Sequence, residues 1–527
     1  MNPTPFNEIN PDITSGRNRS YWTISSKPIQ FETLKKNMET DILVIGGGIS
    51  GLTTAYCLSR SGRKVVLVED GFIGSGESGR TTAHITYALD DRYSEIENMF
   101  GHEKALLAAN SHMTAIQWIN SVIHTESISC HFKRVPGYLF LHNSDKIETL
   151  EKEYQVTKSL GLYTDVLPET PGVSALIEKR CIKFPGQAQF HILMYLKGLS
   201  EAFIRKGGKI FTESGAENIT KEGATVNGYK VKASQIVVAT NSPVNDLVTM
   251  HTKQYTYRTY VIAASIRKGS LPYSLWWDTG GQQSKWVTKP YHYVRLEEFD
   301  EKFDLLIAGG EDHKIGQADK ENIPEQNRYE NLVAWTRKHF PAVETIAYKW
   351  SGQVMEPVDS LAFIGKNPGD ENIYIITGHS GNGMTYGTIG GMLVSDMILG
   401  KKNIWESLYD PSRKPTHAGG DFVKEAVNMA AQYSDWISAG DVKELADLKP
   451  RQGGIFTSGL KKVAVYRDDM SILHAFSAVC PHLGGILRWN ADEMSFDCPA
   501  HGSRFTTGGK VINGPSQSDL KKIEIKE

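Results

Sequence analysis

Residues 41–69 read DILVIGGGISGLTTAYCLSRSGRKVVLVE, and this stretch decides the fold. DILVI is a short β-branched apolar run ending on glycines, the pattern of a buried parallel strand. Leu52, Ala55, Tyr56 and Leu58 follow at near-helical spacing, and Gly62 stops the helix. KVVLVE (64–69) is a second buried strand. Between the first strand and the helix, Gly46-Gly47-Gly48-Ile49-Ser50-Gly51 fits G-x-G-x-x-G. In that pattern Gly46 makes the tight turn, Gly48 lets backbone approach a pyrophosphate, and Gly51 lets helix and strand pack closely. The helix N-terminus offers unpaired N–H groups to the phosphates. Glu69 ends the second strand, where its carboxylate can accept hydrogen bonds from ribose hydroxyls and would repel a 2′-phosphate. With strand, helix, second strand and terminal acid all in place, a chance glycine loop is a poor alternative. The motif alone leaves FAD and NAD both open.

Further along the chain, QIVVATNS (235–242) and NIYIITGHSGNGMTYG (372–387) predict two more strands of the same sheet, the second leading into a helix at GGMLVSDMIL. Segments 89–184 and 246–344 are richer in aromatics and alternate, as in YRTYVIAASI (257–266), which predicts an antiparallel sheet with helices. Residues 1–35 are polar and read as an irregular N-terminal arm. Residues 403–436 hold Pro, Gly and Ser around the amphipathic DFVKEAVNMAAQY and read as a linker. From 437 to 527, short runs separated by Gly, Asp and Pro predict a small all-β domain. A length of 527 residues suits about three domains.

Charge and composition remove several function classes. Lys+Arg is 58 against 60 Asp+Glu, so there is no electrostatic footprint for nucleic acid and no polybasic membrane anchor. No run reaches the roughly 18 apolar residues of a transmembrane helix, and the first residues lack a basic segment followed by an apolar core. Five Cys do not make a disulfide scaffold, so a reducing cytoplasm is the expected location.

Residues 36–400 resemble the D-amino-acid-oxidase-like family of FAD-dependent oxidoreductases, which includes glycine and sarcosine oxidases. The opening fingerprint is similar, as is the loop Gly74-Ser75-Gly76-Glu77-Ser78-Gly79-Arg80-Thr81-Thr82, which in the family passes the pyrophosphate and flavin. IVVATNS, with Ala239 and Thr240, resembles the family's turn near the ADP part, and Asp359-Ser360-Leu361-Ala362-Phe363-Ile364-Gly365 its D-x-x-P-x-I-G segment. GQAQFHILMYLKGL (186–199) resembles a stretch leading a helix beside the nucleotide domain. ITGHSGNGMTYG, with Gly378, Gly381, Gly383 and Met384, resembles the turn whose helix N-terminus faces the isoalloxazine O2, where N–H groups stabilise the negative charge of reduced flavin. The resemblance implies FAD as cofactor. It also implies an α/β FAD-binding Rossmann-type domain (36–88, 185–245 and 345–402), interleaved with an α+β antiparallel-sheet substrate domain (89–184 and 246–344).

Cys480-Pro481-His482 and Cys498-Pro499-Ala500-His501 give C-x-H and C-x-x-H separated by fifteen residues. This order resembles a Rieske [2Fe–2S] centre, with Cys480 and Cys498 on one iron and His482 and His501 on the other. Zinc is the alternative, but it favours C-x₂–₄-C and H-x₃–₅-H pairs. Leu483-Gly484-Gly485, Gly502-Ser503-Arg504-Phe505 and Asn513-Gly514-Pro515 are similar to the loops around such a cluster. Respiratory Rieske proteins often carry one more Cys in each loop; Gly485 and Ala500 stand in those places, so no bridging disulfide is expected. Ser503 is placed to donate towards a cluster sulfur and raise the potential.

FAD with a Rieske cluster implies a dehydrogenase that oxidises an amine or amino-acid-like donor and relays single electrons to an outside acceptor. A non-catalytic flavin and iron–sulfur redox-sensing or electron-transfer module is the alternative. A Rieske oxygenase needs a further iron held by two His and a carboxylate, and no His-x₄-His pair supports it. Family members that bind amino acids clamp the carboxylate with an Arg ahead of D-x-x-P-x-I-G; here Trp350–Glu356 offers none. Arg295 is the candidate substitute, with pairing to Glu297 or Glu298 as its other reading. Tyr293, with Tyr260 and Tyr291, is a candidate cavity residue, and His379 a candidate flavin or substrate contact. His84 is a candidate for covalent flavin attachment.

Overall fold

A computed structural model describes residues 17–245, 250, 252–284, 289–315, 325–414, 436 and 440–525. The first sheet runs in the order Phe363–Lys366, Ile373–Thr377, Tyr229–Asn241, Met38–Ile45, Val65–Val68, Lys209–Phe211, with an added hairpin at Ala216–Thr220 and Gly223–Val226. Its central pairings are parallel: Ile42 to Ile45 lie against both Val65 to Val68 and Gln235 to Val238. All four residues of Val65–Val68 are buried, consistent with a strand covered on both faces. Each buried Val contributes about 1.5–3 kcal/mol relative to exposure. Helix Ile49–Arg60 follows the glycine loop and packs on helix Gly383–Ile398. Gly62, at φ +77°, closes it by donating to Ser59 O. These are the elements expected of an α/β dinucleotide domain.

The second sheet has nine strands and is antiparallel except where Leu275–Asp278 runs parallel to Lys133–Phe140. Its long members are Gln254–Arg267, Phe303–Lys314 and Val343–Pro357. Val343–Pro357 crosses the boundary drawn at 345. It pairs with Gln254–Arg267 almost from end to end and carries Gly352 to Glu356 from the second sheet towards the first. The C-terminal domain is all-β: a three-stranded sheet (Gln452–Ser458, Lys461–Arg467, Leu473–Ser477) and a four-stranded one (Arg488–Asn490, Ser495–Asp497, Arg504–Thr506, Val511–Asn513).

The segments read as an irregular arm and as a linker each contain a short helix. Tyr21–Ser25 starts at Ser20, whose hydroxyl accepts from Thr23 N, and buries Trp22 completely. Trp22 Nε1 donates to Thr81 O at 2.6 Å, so the arm packs beneath the 74–82 loop. Glu406–Tyr409 buries Leu408 and Tyr409 in the main core. The amphipathic stretch expected within the linker lies outside the described residues.

Candidate active site and cluster site

A cavity of about 1570 Å³ opens where the first sheet, the second sheet and the C-terminal domain meet. A pocket for one small ligand has about 300–1,000 Å³, so there is room for a dinucleotide and a second molecule. Gly46, Gly48, Glu69, Thr81, Thr82, Ala239 and Thr240 line one part of it. The glycines are required by close approaches. A Cβ on Gly46 (φ +107°) would stand 2.5 Å from Ala239 O, one on Gly48 2.9 Å from Ser78 Oγ, and one on Gly51 1.9 Å from Gly46 O. Gly51 therefore serves the helix–strand contact and is not itself a cavity residue. Glu69 is buried, accepting from Gly71 N at 3.1 Å, Ser75 Oγ at 3.2 Å and Gly47 N. Ser78 Oγ accepts from Ile49 N at 3.0 Å and fixes the start of the helix.

At the cavity's other end stands the turn before helix Gly383–Ile398. His379, Gly381, Gly383 and Met384 line the wall. Gly378 (φ +71°) lies behind, against Pro357 and Gln254. Asn382 engages its side chain with Asp90 N and Ala88 O and gives no side-chain cap, which leaves the helix's first N–H groups at the wall. Gly381 has no room for a side chain: a Cβ would meet Asp90 Oδ2.

In the C-terminal domain, two loops present Cys480, His482, Cys498 and His501. Each closes on itself: Gly484 N donates to Cys480 O, and Gly502 N to Cys498 O, both at 3.0 Å. The His482 and His501 rings are 5.0 Å apart and nearly perpendicular, at 88°. Both thiols are buried and unbridged. The neighbouring Cys498 thiol brings Cys480 down to about 7 against the cost of burial, with the N–H groups of His482 and Leu483 and the Ser503 hydroxyl adding to the effect. A Cβ on Gly485 would lie 3.3 Å from that of Ala500, so these two positions are the neighbours where an extra pair of cysteines would sit.

Residues 41–397 match the FAD dependent oxidoreductase family, and residues 435–524 match the Rieske [2Fe-2S] domain. The chain belongs to the FAD dependent oxidoreductase family. This oxidoreductase is 30% identical over 516 residues to a Bacillus subtilis protein provisionally named Rieske 2Fe-2S iron-sulfur protein YhfW, covering 96% of this chain and 97% of that one. It is 25% identical over 429 residues to the gamma-glutamylputrescine oxidoreductase of Escherichia coli, covering 79% and 96%. Its fold is similar to L-proline dehydrogenase from P. horikoshii (TM-score 0.58, 19% identity, 72% of this chain and 98% of that one) and glycine oxidase from Geobacillus kaustophilus (TM-score 0.59, 16% identity, 71% and 99%).

The cofactors are FAD and a [2Fe–2S] cluster. The residues present fit both. The glycine cradle, the buried Glu69 and the uncapped helix end suit a dinucleotide with a flavin. Two thiols and two imidazoles converge as the Rieske donor set requires. No helix among the described residues is long and apolar enough to cross a membrane.

Around the 379–384 turn the cavity is acidic. Asp90, Asp91, Asp312 and Glu356 all line it. Ser380 Oγ donates to Glu356 at 2.9 Å, and Tyr291 OH donates to Asp90. Burial raises Asp90 to about 6 and Asp312 to about 7; burial and the nearby Asp90 raise Asp91 as well. Of the aromatic candidates, Tyr291 and Tyr293 line the cavity, with Tyr293 OH 2.6 Å from Thr259 Oγ1. Tyr260 instead packs against His313 and Tyr329. Burial pushes His379 down to about 4, so it is neutral at pH 7, and its Nε2 is buried with no hydrogen-bond partner among the described residues.

Arg295 is not brought to the cavity. Its guanidinium is fully buried, pairs with Glu297 and donates to the carbonyls of Thr82, Ala83 and Phe190. The geometry matches its structural reading: it holds the back of the 80–83 loop. His84 has both ring nitrogens engaged, by Thr82 Oγ1 at 2.9 Å and Val294 O at 3.2 Å, leaving neither for a flavin bond. A two-His, one-carboxylate set, absent from the sequence as a motif, does assemble from distant segments at His142, Asp278 and His292. It is a hydrogen-bonded ion array. His292 Nδ1 donates to Asp278 Oδ2 at 2.9 Å, its Nε2 lies 3.5 Å from Glu311, and its ring stacks on Trp335 at 4.0 Å.

Proposed function

We propose that this oxidoreductase is an amine dehydrogenase: it oxidises a cationic amine at the acidic end of the cavity and delivers the electrons through its Rieske domain to an outside one-electron acceptor. FAD takes a hydride equivalent from the carbon beside the amine nitrogen, and the cluster carries one electron at a time. The observation that carries the reading is that one cavity is walled by both domains, with Lys510 to Gly514, Ser516, Gln517 and Asp519 of the Rieske domain facing the dinucleotide loops.

The donor class follows from charge. Four carboxyls gather near the flavin-facing turn. Arg80 of the lining is paired with Glu493, and Arg92 donates to Leu89 O and Asp278 O. Burial holds Glu356 well above the usual carboxylate range, so the charge comes chiefly from Asp90; an ammonium group finds an ionised partner there, whereas an α-carboxylate meets its repulsion. The likeness to gamma-glutamylputrescine oxidoreductase supports an amine over an amino acid. His482 is half-buried between exposed Pro481 and Leu483, which gives an acceptor access to one cluster ligand.

The test is an anaerobic titration of the holoprotein with putrescine, gamma-glutamylputrescine, glycine and proline. Flavin bleaching is followed by absorbance and cluster reduction by electron paramagnetic resonance. The diamines should bleach the flavin and then reduce the cluster, and Asp312→Asn should weaken apparent diamine binding by about ten-fold, the loss of one partly buried charge contact. Bleaching by glycine or proline alone refutes the donor assignment. A flavin that bleaches while the cluster stays oxidised refutes the relay.

A further inference from the structure

Glu493 lies in the Rieske domain but is buried among residues of the FAD side, with a relative exposure of 3%. Its Oε1 accepts from Arg80 Nη2 at 2.9 Å and from Ser351 Oγ, and its Oε2 accepts from Asn18 N at 3.2 Å. Arg258 Nη1 donates to the same Ser351 Oγ at 2.5 Å and stands 3.9 Å from Glu493 Oε1. On the Rieske side, buried Asp497 accepts from Arg504 Nε at 3.1 Å and adds a second carboxylate to the group. Three guanidinium groups thus gather around these two carboxylates, all five residues being buried.

Two further contacts are well separated along the chain. Asn513 Nδ2 donates to Glu77 Oε1 at 3.2 Å, and Gln517 Nε2 donates to Val244 O. Three points of attachment on different segments fix a rigid body in all its rotations. Between them, the loop that carries His501 is pressed on the wall of the flavin cavity. Gln353 Nε2 donates to Gly502 O at 3.3 Å, while a Cβ on Gly502 would come within 2.4 Å of Thr256 Oγ1. Gln353 also lines the cavity, and Glu77 Oε2 accepts its backbone N–H at 2.7 Å. One side chain therefore spans from the cavity wall to the residue next to a cluster ligand.

We propose that Glu493 pins the Rieske domain in a single electron-transfer pose, in which electrons enter the cluster on the His501 side across the Gln353–Gly502 contact. This rests on the relay reading above. For each donor oxidised, two electrons leave reduced FAD singly and its proton goes to water. Each electron reduces the cluster by one, and a one-electron acceptor such as ferricyanide reoxidises it before the second passes. Glu493 is a positioning residue. Removing its charge leaves the three guanidinium groups with Asp497 and Glu77 as the remaining carboxylates that act on them, and truncating one member of a buried, hydrogen-bonded pair is strongly unfavourable.

The experiment injects one electron into the oxidised, full-length holoprotein with a flash-generated deazaflavin radical and follows redistribution between flavin and cluster absorbance. In the wild type this rate should not depend on protein concentration. Glu493→Ala should slow it by at least about ten-fold, and Glu493→Asp should restore most of it, while the flavin spectrum and the cluster resonance stay those of the wild type. Gln353→Leu, which keeps the ion group, should slow it as well and decides the matter if Glu493→Ala does not fold. Transfer at the wild-type rate in Glu493→Ala, or in Gln353→Leu where that variant decides, overturns the proposal. No redistribution in the wild type overturns the relay itself, which keeps the two failures apart.

Discussion

Replacing Ser503 by Ala should lower the reduction potential of the cluster, and the size of the fall can be worked from its surroundings. Ser503 is completely buried, so no water can take the place of its hydroxyl. That hydroxyl donates to the Cys480 sulfur and accepts from Ser516 N at 3.0 Å. A hydrogen bond to a charged acceptor contributes about 1.5–3 kcal/mol. The sulfur gains negative charge when the cluster takes an electron, so the bond is stronger in the reduced state. If roughly half its worth distinguishes the two states, the difference is about 1 kcal/mol. With about 59 mV for each ten-fold change in a one-electron equilibrium, this is a fall of roughly 40 mV. The same change leaves the Ser516 N–H without its partner, which costs about 1–3 kcal/mol in the loop over the cluster. An anaerobic titration monitored by electron paramagnetic resonance on the full-length protein measures the shift, with Ser503→Thr as the variant that keeps the hydroxyl. A potential that stays put or rises in Ser503→Ala would show that the hydroxyl does not act on the sulfur, and the reasoning would be wrong.

Gly51→Ala should abolish flavin binding and leave the cluster resonance intact, because the new Cβ would stand 1.9 Å from the immovable Gly46 carbonyl; absorbance of the purified protein reads this directly. Diamine turnover should rise with pH through about 6–7 as Asp90 and Asp312, both raised by burial, become ionised, and Asp90→Asn with Asp312→Asn should flatten that limb of the kcat/KM profile. Burial alone would push His292 down, but Asp278 and Glu311 outweigh it and hold His292 up at about 9. A raised histidine contributes stability fully below its unfolded value of about 6.5 and loses it as pH climbs through about 9, so the Tm should drop over that window and His292→Gln should remove the slope.

What could be read in the chain was what local spacing encodes. Gly46 to Gly51 with Glu69, and Cys480 to His482 with Cys498 to His501, are short patterns whose chemistry depends on near neighbours, and each motif stands on one continuous stretch. Residues joined by the tertiary fold were invisible. Asp90, Asp91, Asp312 and Glu356 come from separated segments, and no periodicity marks them as one acidic wall. Arg295 shows how local spacing decides between two readings: the lack of an arginine in 350–356 made it a candidate substrate clamp, but its other reading, pairing with Glu297 two residues away on the same strand, is what the structure contains. Glu493 carried no signal, because its meaning lies in Arg80, 413 positions earlier in the chain.

The participation of residues 510–519 in the wall around the dinucleotide has a consequence for biogenesis. These residues follow the dinucleotide loops by hundreds of positions, so the wall around the prosthetic group is complete only once this later stretch has folded against them. Flavin retention therefore depends on the folding of a domain other than the one that carries the glycine loop.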